Sequence, residues 1–391
     1  MSTELRVGVA GLGAASAQIL PCFRDVPGVQ LTAAADVRVE ARDAFAKAYD
    51  LPAFETVEAM CRSKDVDLVW IATPNTLHCE HTIAAARSGK HIICEKPMAL
   101  TLDECDRMIS EAERAGVQLL QGHSKIFDSP VRAMRKIVAS GRLGKVVQID
   151  SWNFNDWLQR PRIASEVDTA MGGGLVFRQG PHQVDVVRYI AGVPARSVRG
   201  MAGRWDPHFA TEGNFSALIE FEGGAVGNLT LNGYGYFDVT ELSWGIGEGG
   251  NQVDEPRKRK PRPRRTGPME AAEKYDYLAK IAQGGDLYPR GKRQPFYGLT
   301  IVSCEKGAIR QSPDGLFLYA ESGCEEIPVE QNAGRSAELI EFKSALAEGR
   351  TVFPDGIWGR GTLEVCLGIL KSSKLRCDVP LSRQGRALVH A

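Results

Sequence analysis

Five short apolar runs alternate with helix-patterned segments along the first 122 residues. The runs are RVGVAG (6–11), LTAAAD (31–36), VDLVWIAT (66–73), KHIICEK (90–96) and VQLLQG (117–122). The segments between them are rich in Ala, Glu and Arg. Continuous apolar strands that alternate with helices are typical of parallel strands buried on both faces. The pattern therefore predicts a doubly wound α/β domain over residues 1–124.

Beyond this region the pattern changes to alternating polar and apolar positions. A predicted helix at 129–140 precedes three strand-like stretches, KVVQIDSWNF (145–154), residues 215–237 and residues 307–321. Glu222-Gly223-Gly224 and Asp314-Gly315 are typical of hairpin turns within the last two stretches. Residues 125–391 are therefore predicted to form an α+β domain, with helices on one side of a largely antiparallel sheet.

Composition narrows the range of functions. A chain of 391 residues exceeds one ordinary core, which favours two domains. The 48 basic residues equal the 48 acidic ones in number, so bulk charge does not favour binding to nucleic acid or to a membrane surface. We expect a cytoplasmic protein, because the N-terminus lacks a signal-peptide pattern, no apolar run would span a bilayer, and nine scattered cysteines suit reduced thiols.

One segment departs from this balance. EPRKRKPRPRR, residues 255–265, combines prolines with dense positive charge. Such a run is most often a solvated loop. A rim that attracts anionic substrates is the alternative.

The first strand leads into a dinucleotide-binding fingerprint. Gly11, Gly13 and Ser16 occupy the G-x-G-x-x-G frame, with serine in the third position. Gly11 allows the tight turn, and Gly13 allows the backbone to approach a pyrophosphate. Asp36 ends the second strand, where a carboxylate binds the adenosine ribose and opposes a 2′-phosphate. We expect NAD as cofactor, although Arg38 is compatible with NADP.

Three further motifs join the fingerprint in order. They are TPNTLH (73–78), EKPMAL (95–100) and GGGLVFRQGPHQVD (172–185). With these motifs the chain resembles the glucose–fructose oxidoreductase/inositol dehydrogenase (Gfo/Idh/MocA) family. The resemblance implies an N-terminal Rossmann domain, a C-terminal domain with an open-faced sheet, and assembly into homodimers or homotetramers.

The resemblance also assigns residues to the reaction. The family's lysine corresponds to Lys96 and its histidine to His182, and the cofactor-side positions are Thr73, Pro74, Asn75, His78, Glu95 and Lys96. Lys96 ends a buried strand at the carboxyl edge of the sheet, where ligands of α/β proteins bind. A cation there can stabilise an oxyanion and transfer a proton.

The histidine motif departs from the family pattern. Many members have an aspartate four residues before the histidine, where this chain has Arg178. A guanidinium donates hydrogen bonds but cannot accept them, and it binds a carboxylate through two parallel hydrogen bonds. It would also keep His182 neutral and able to act as a base. We expect Arg178 to bind an anionic substrate; the alternative is an ion pair with Asp185 or Glu166. In one continuous helix, Arg178, His182 and Asp185 would share a face.

Aromatic and basic residues cluster in WNFNDWLQRPR, residues 152–162. Trp157, Arg160 and Arg162 suit a flat anionic substrate, although core tryptophan with surface arginine is an equal alternative. This combination resembles the phthalate 4,5-cis-dihydrodiol dehydrogenase branch of the family. The expected substrate is therefore a small carboxylated cyclic cis-diol, with Arg178, Trp157, Arg160, Arg162 and Asp185 as binding residues.

Other activities remain open at the level of sequence. A sugar, sugar-acid or inositol dehydrogenase, a non-catalytic NAD-binding regulator and an NAD-dependent glycosidase are the alternatives. His78-Cys79-Glu80-His81 suggests zinc, but no further ligands complete a tetrahedral set in the sequence, so we expect no metal.

Overall fold

The computed structural model describes residues 4–253, 264–275, 291–331 and 334–388. These residues form two compact units. The first comprises 4–124 and 334–363, and the second comprises 125–253, 264–275, 291–331 and 364–388. Most of the basic segment at 255–265 lies outside the described residues.

The strands are short and are listed here in chain order. They are β1 (Leu5–Ala10), β2 (Val29–Ala35), β3 (Ala53–Phe54), β4 (Leu68–Ile71), β5 (His91–Glu95), β6 (Leu119–Gly122), β7 (Val146–Phe154), β8 (Ala195–Gly203), β9 (Asn214–Phe221), β10 (Val226–Asn232), β11 (Leu299–Cys304), β12 (Gly307–Gln311), β13 (Gly315–Ala320), β14 (Gly323–Pro328) and β15 (Val379–Pro380).

The α-helices are described in the same order. They are α1 (Ser16–Ile19), α2 (Val39–Tyr49), α3 (Val57–Cys61), α4 (His78–Arg87), α5 (Leu102–Ala115), α6 (Ser129–Ala139), α7 (Gly174–Arg178), α8 (Gly180–Ala191), α9 (Ser336–Glu348) and α10 (Gly356–Leu375).

The first unit is built on a parallel sheet in the order β3-β2-β1-β4-β5-β6. This confirms the predicted doubly wound domain, and the five predicted strands are β1, β2, β4, β5 and β6. Strand β3 has only two residues, too few to produce a hydrophobic pattern. The order places the carboxyl ends of β1 and β4 side by side, which is where such sheets bind ligands.

Residues 334–363 return to the first unit, whereas the sequence analysis assigned them to the second domain. The reason is hydrophobic burial. Leu339, Phe342 and Ala345 of α9 are fully buried in a core that also contains Trp70 and Ile93. Each large apolar side chain buried in this way contributes about 1.5–3 kcal/mol relative to leaving it exposed.

The second unit contains a mixed sheet in the order β14-β13-β12-β11-β7-β10-β9-β8-β15. Of its pairings, β10 with β7 is parallel and the others are antiparallel. Helices α6 and α8 pack on one face, and β9 alternates between buried and exposed positions. The predicted α+β layer and both predicted hairpins, β9–β10 and β12–β13, are confirmed.

The histidine motif forms two helices rather than one. Helix α7 ends at Arg178, and α8 begins at Gly180 with Pro181 in its first turn. Proline lacks the N–H that would continue the preceding hydrogen-bond ladder. In the part of the chain that the structure describes, no helix is both long and apolar enough to cross a membrane.

Candidate active site

The dinucleotide fingerprint forms a tight turn between β1 and α1. Gly11 has φ 89°, and a Cβ there would lie 2.8 Å from the backbone O of Ala72 and N of Thr73. A side chain at Gly13 would meet nothing within 4 Å, so the turn leaves open space at that position. Ser16 is buried and donates from Oγ to Gly13 O at 2.8 Å. The turn therefore has the close backbone approach and the free volume that a pyrophosphate needs.

Asp36, directly after β2, is bound to this turn and to Arg38. Its Oδ2 accepts from Leu12 N and from an Arg38 terminal nitrogen, both at 2.8 Å. Its Oδ1 accepts from the backbone N and the Nε of Arg38 at 2.9 and 3.0 Å. Burial opposes ionisation, but the hydrogen bonds from Arg38 and Leu12 outweigh it and lower the pKa of Asp36. A ribose hydroxyl would therefore exchange with one of these donors at an ionised carboxylate.

The turn after β4 and the turn after β5 are linked by one histidine. His78 Nδ1 lies 2.9 Å from Pro97 O, and its Nε2 lies 3.0 Å from Thr73 O. Asn75 and His78 are both buried, and Lys96 is half-buried. His78 thus connects the TPNTLH turn to the turn that carries Lys96.

The histidines at 78 and 81, which suggested zinc in the sequence, contact other groups in the structure. His81 Nδ1 lies 2.9 Å from Thr73 Oγ1, and His78 bridges two backbone carbonyls. Within residues 4–253, 264–275, 291–331 and 334–388, no group of three or more His, Cys, Asp or Glu side chains is arranged to hold a metal ion.

In the second unit, helix α7 is fixed at its start by a close approach of two loops. Gly174 has φ 85°, and a Cβ there would lie 2.1 Å from Thr211 Oγ1. The Glu212 carboxylate accepts from Val176 N at 2.8 Å and from Thr169 Oγ1 at 2.6 Å. This close packing accounts for the glycine at position 174 and fixes the helix that ends at Arg178.

Arg178 pairs with Glu166, as one of the sequence alternatives held. Its terminal nitrogen donates to Glu166 Oε1 at 3.0 Å. The same carboxylate lies 3.8 Å from an Arg162 terminal nitrogen and also accepts from Lys274 Nζ. We call Arg162, Glu166, Arg178 and Lys274 the cationic cluster. Within it, three basic side chains share the Glu166 carboxylate.

The pKa values in the cationic cluster follow from burial and from the charges that meet there. Burial favours the neutral acid, but Arg178, Arg162 and Lys274 together outweigh it and lower the pKa of Glu166 to about 2. Burial, with repulsion from the two arginines, lowers the pKa of Lys274 despite the attraction of Glu166. A second carboxylate would relieve this repulsion, so the cluster is chemically suited to bind an anion.

The remaining predicted substrate residues occupy different environments. Arg160 pairs with Asp156 at 2.8 Å and is half-exposed. Trp157 is 1% exposed and lies under the Arg162 guanidinium, 4.6 Å from its ring centroid, so its ring supports Arg162. His182 and Asp185 are buried in α8.

Two residues near these groups were missed in the sequence. Lys274 lies 108 positions from Glu166, and nothing in its local sequence indicates the pairing. Tyr297 is buried with its ring centroid 5.2 Å from that of His182. Its hydroxyl lies 2.9 Å from Gln179 O, so it links the α7–α8 junction to the histidine ring.

Comparison with known proteins finds relatives that match both parts of the chain. Residues 5–123 match the oxidoreductase family model with an NAD-binding Rossmann fold, and residues 131–240 match the Gfo/Idh/MocA C-terminal domain. A 1-carboxy-3-chloro-3,4-dihydroxycyclohexa-1,5-diene dehydrogenase of Comamonas testosteroni is 35% identical over 380 residues, covering 95% of each chain. Fold and fingerprint thus define an NAD(P)-dependent dehydrogenase. The chain belongs to the Gfo/Idh/MocA oxidoreductase family.

Solved structures give the same fold. A structure from Bordetella bronchiseptica RB50 is 36% identical with a TM-score of 0.87, covering 96% of this chain and 100% of the other. An oxidoreductase from Agrobacterium radiobacter, in complex with NAD+, L-tartaric acid and magnesium, has a TM-score of 0.75 at 16% identity, covering 97% and 98%. The second likeness shows the fold alone. The Gly11–Gly13 turn and Asp36 fit NAD as the cofactor.

Asp36 and Arg38 are expected to set cofactor selectivity in opposite directions. Asp36→Ser removes the carboxylate that repels a 2′-phosphate, so it should shift the ratio of NADPH to NADH affinity toward NADPH by about 10-fold. Arg38→Leu leaves Asp36 without its guanidinium and should shift the ratio toward NADH. Fluorescence titration of both reduced cofactors measures the ratio. A shift in the same direction for both variants would contradict contact between this pair and the ribose.

Proposed function

We propose that the protein oxidises a carboxylated cyclic cis-diol, such as the 4,5-cis-dihydrodiol of phthalate, to a catechol with NAD as acceptor. The observation that carries this proposal is the cationic cluster, in which Glu166 faces three cations. A neutral polyol would offer no anionic group to these basic side chains, whereas a carboxylate suits their hydrogen-bond donors. The similarity to a dehydrogenase named for a carboxylated cyclohexadiene diol supports the same substrate class.

Arg178 and Arg162 hold the substrate carboxylate in this proposal. Each presents a planar fork of N–H donors, and Lys274 adds a point charge beside them. Because Glu166 orients all three side chains before substrate arrives, little side-chain entropy is lost when the carboxylate binds. The anion thereby fixes the ring so that one diol carbon faces the reacting groups.

His182 and Lys96 supply the acid–base chemistry. His182 takes the proton from the hydroxyl of the reacting carbon as that carbon loses its hydride. Lys96 donates a hydrogen bond to the same oxygen and stabilises its developing negative charge. NAD, when bound, accepts the hydride. Tyr297, in edge contact with His182, holds the imidazole in place.

The product chemistry makes the reaction favourable. Loss of a hydride and a proton from one carbinol converts it to a ketone beside the remaining hydroxyl-bearing carbon. In a cyclohexadiene ring this hydroxy-enone tautomerises to the aromatic catechol. No metal and no further oxidant are needed, since both electrons leave as the hydride.

The proposal is tested by NAD reduction with matched ring substrates. We expect turnover on phthalate 4,5-cis-dihydrodiol and much lower kcat/KM on the uncharged benzene cis-dihydrodiol, myo-inositol and D-glucose. Arg178→Met should lower kcat/KM for the carboxylated diol by about 30-fold or more, mainly through KM, and leave the neutral diol little changed.

The control is Arg142→Met, which removes a surface arginine that pairs with Glu325 in the same unit. This variant should leave kcat/KM unchanged for both the carboxylated and the neutral diol. Equal or better turnover on myo-inositol or glucose would overturn the proposal in favour of a polyol or sugar dehydrogenase. Tight NAD binding without turnover of any member of the panel would indicate a regulator.

A further inference from the structure

A second buried ion cluster lies in the first unit and includes Glu95, which the family resemblance placed on the cofactor side. The Arg335 guanidinium donates to Glu95 Oε1, and its Nε lies 3.4 Å from Glu338 Oε2. The side chains of Arg335, Glu95 and Glu338 are 17%, 7% and 0% exposed. Moving charged side chains out of water costs free energy. A buried ion cluster is therefore stable only when close ion pairs and hydrogen bonds offset that cost.

Several hydrogen bonds hold the end of β5 in place. Trp70 Nε1 donates to Glu95 Oε1 at 3.3 Å, and the Arg335 guanidinium lies 5.5 Å from the Trp70 ring centroid. Gln121 Nε2 donates at 3.0 Å to the backbone oxygens of both Cys94 and Glu95. Both the side chain and the main chain of Glu95 are therefore held.

The residue that follows this anchored position is Lys96. On its other side, the carbonyl of Pro97 lies 2.9 Å from His78 Nδ1. The backbone of Lys96 is therefore held between two fixed neighbours, one of which depends on Arg335. A displacement of about 1 Å in a reacting group can cost about 10²-fold in rate, so an anchor of this kind bears directly on catalysis.

The charge state of the cluster agrees with this role. Burial outweighs the attraction of Arg335 and raises the pKa of Glu338 to about 8. Glu338 is therefore a weaker counter-charge for Arg335 than an exposed glutamate would be. Among the described residues, Cys22 lies near Arg335, and Asp25 Oδ2 accepts from Oγ of the neighbouring Ser336 at 3.4 Å.

We propose that Arg335 is a positioning residue for the dehydrogenase reaction, which holds the Glu95 carboxylate and thereby fixes the strand end that presents Lys96. The inference rests on the proposed role of Lys96. The match to the C-terminal domain model covers residues 131–240. Arg335 follows that range, so the inference gives a function to a later segment of the chain.

The first test needs no substrate. Lys96 of the full-length protein is acetylated with limiting acetic anhydride, and its labelling rate is followed by peptide mass spectrometry. Arg335→Gln is expected to change this rate by about 3-fold or more, because the anchor is lost. Arg350→Gln is the matched control, since it removes an arginine that pairs with Glu341 of α9. It should lower thermal stability without altering Lys96 labelling.

The second test is kinetic and uses phthalate 4,5-cis-dihydrodiol. Arg335→Gln should lower kcat by about 10-fold or more with little change in KM or NADH affinity, and Arg335→Lys should recover part of the loss. Glu338→Gln should lower kcat less than Arg335→Gln does, because it leaves the contact between Arg335 and Glu95 in place. The isotope effect on kcat from deuterium at the reacting carbon should be larger for Arg335→Gln than for the wild type.

The outcomes separate this inference from the proposed function. Wild-type labelling and kcat in Arg335→Gln would overturn the inference, as would equal losses in Arg350→Gln. If Arg335→Gln is insoluble, unchanged labelling in soluble Arg335→Lys overturns it in the same way. If Lys96→Met retains full kcat, the proposed role of Lys96 fails, and the inference fails with it. If the diol is not turned over, the labelling result still decides whether Arg335 positions Lys96.

Discussion

Replacing His182 with asparagine is expected to lower kcat by about 10²- to 10⁴-fold while NADH affinity stays within about 2-fold of wild type. Asparagine keeps a polar side chain of similar size but cannot accept and release the proton of the diol hydroxyl. The buried position of His182 in α8 and its edge contact with Tyr297 hold the ring in one orientation. Stopped-flow NADH absorbance with phthalate 4,5-cis-dihydrodiol measures the loss.

The control for this prediction is another histidine of the same unit. His208 is half-exposed and pairs with Asp206 at 2.8 Å, so His208→Asn should leave kcat unchanged. Retention of more than about one tenth of wild-type kcat in His182→Asn would show that the proton leaves by another route.

Replacing Glu166 with glutamine is expected to lower the free energy of unfolding by about 3–5 kcal/mol, because it leaves three largely buried cations without their common counter-charge. The control is Asp156→Asn. Asp156 pairs with Arg160 at 2.8 Å, but both side chains are half-exposed. An exposed pair contributes about 0–1 kcal/mol, so this variant should be close to wild type. Urea unfolding at pH 7 distinguishes the two.

The same carboxylate predicts a pH dependence of stability. Because the pKa of Glu166 is lowered to about 2 in the folded protein, its contribution is present above the ordinary glutamate pKa near 4.5. It is lost as the pH falls from about 5 toward 2, and it amounts to about 3 kcal/mol. Glu166→Gln should therefore show a weaker loss of stability than wild type between pH 5 and pH 3. Parallel curves for the two proteins would contradict an ionised, paired Glu166.

Much of the fold follows from local patterns in the sequence. The five apolar runs predicted the parallel strands, because strands buried on both faces carry continuous apolar residues. The return of α9 to the first unit could not be predicted this way. Phe342 is an ordinary apolar position in a helix, and only the folded structure shows that it is buried in the same core as Trp70 and Ile93.

The parts of the candidate site that form sequence motifs could be predicted. Gly11, Gly13 and Asp36 have a recognisable spacing, and Glu166 was one of two predicted partners for Arg178. Lys274 and Arg335 are different. They meet their carboxylates across 108 and 240 positions, and isolated basic residues have no periodicity that could indicate a partner. The helix break before His182 could have been predicted, since Gly180-Pro181 is a helix-start signal.

The shared carboxylate of the cationic cluster bears on how such a site could change its substrate during evolution. If one of Arg162, Arg178 or Lys274 were lost, Glu166 would keep two basic side chains beside it. Each such step would remove one positive charge and leave the buried carboxylate ion-paired. A lineage could therefore lower the charge of its preferred ring substrate by single substitutions, without passing through a protein that contains an unpaired buried carboxylate.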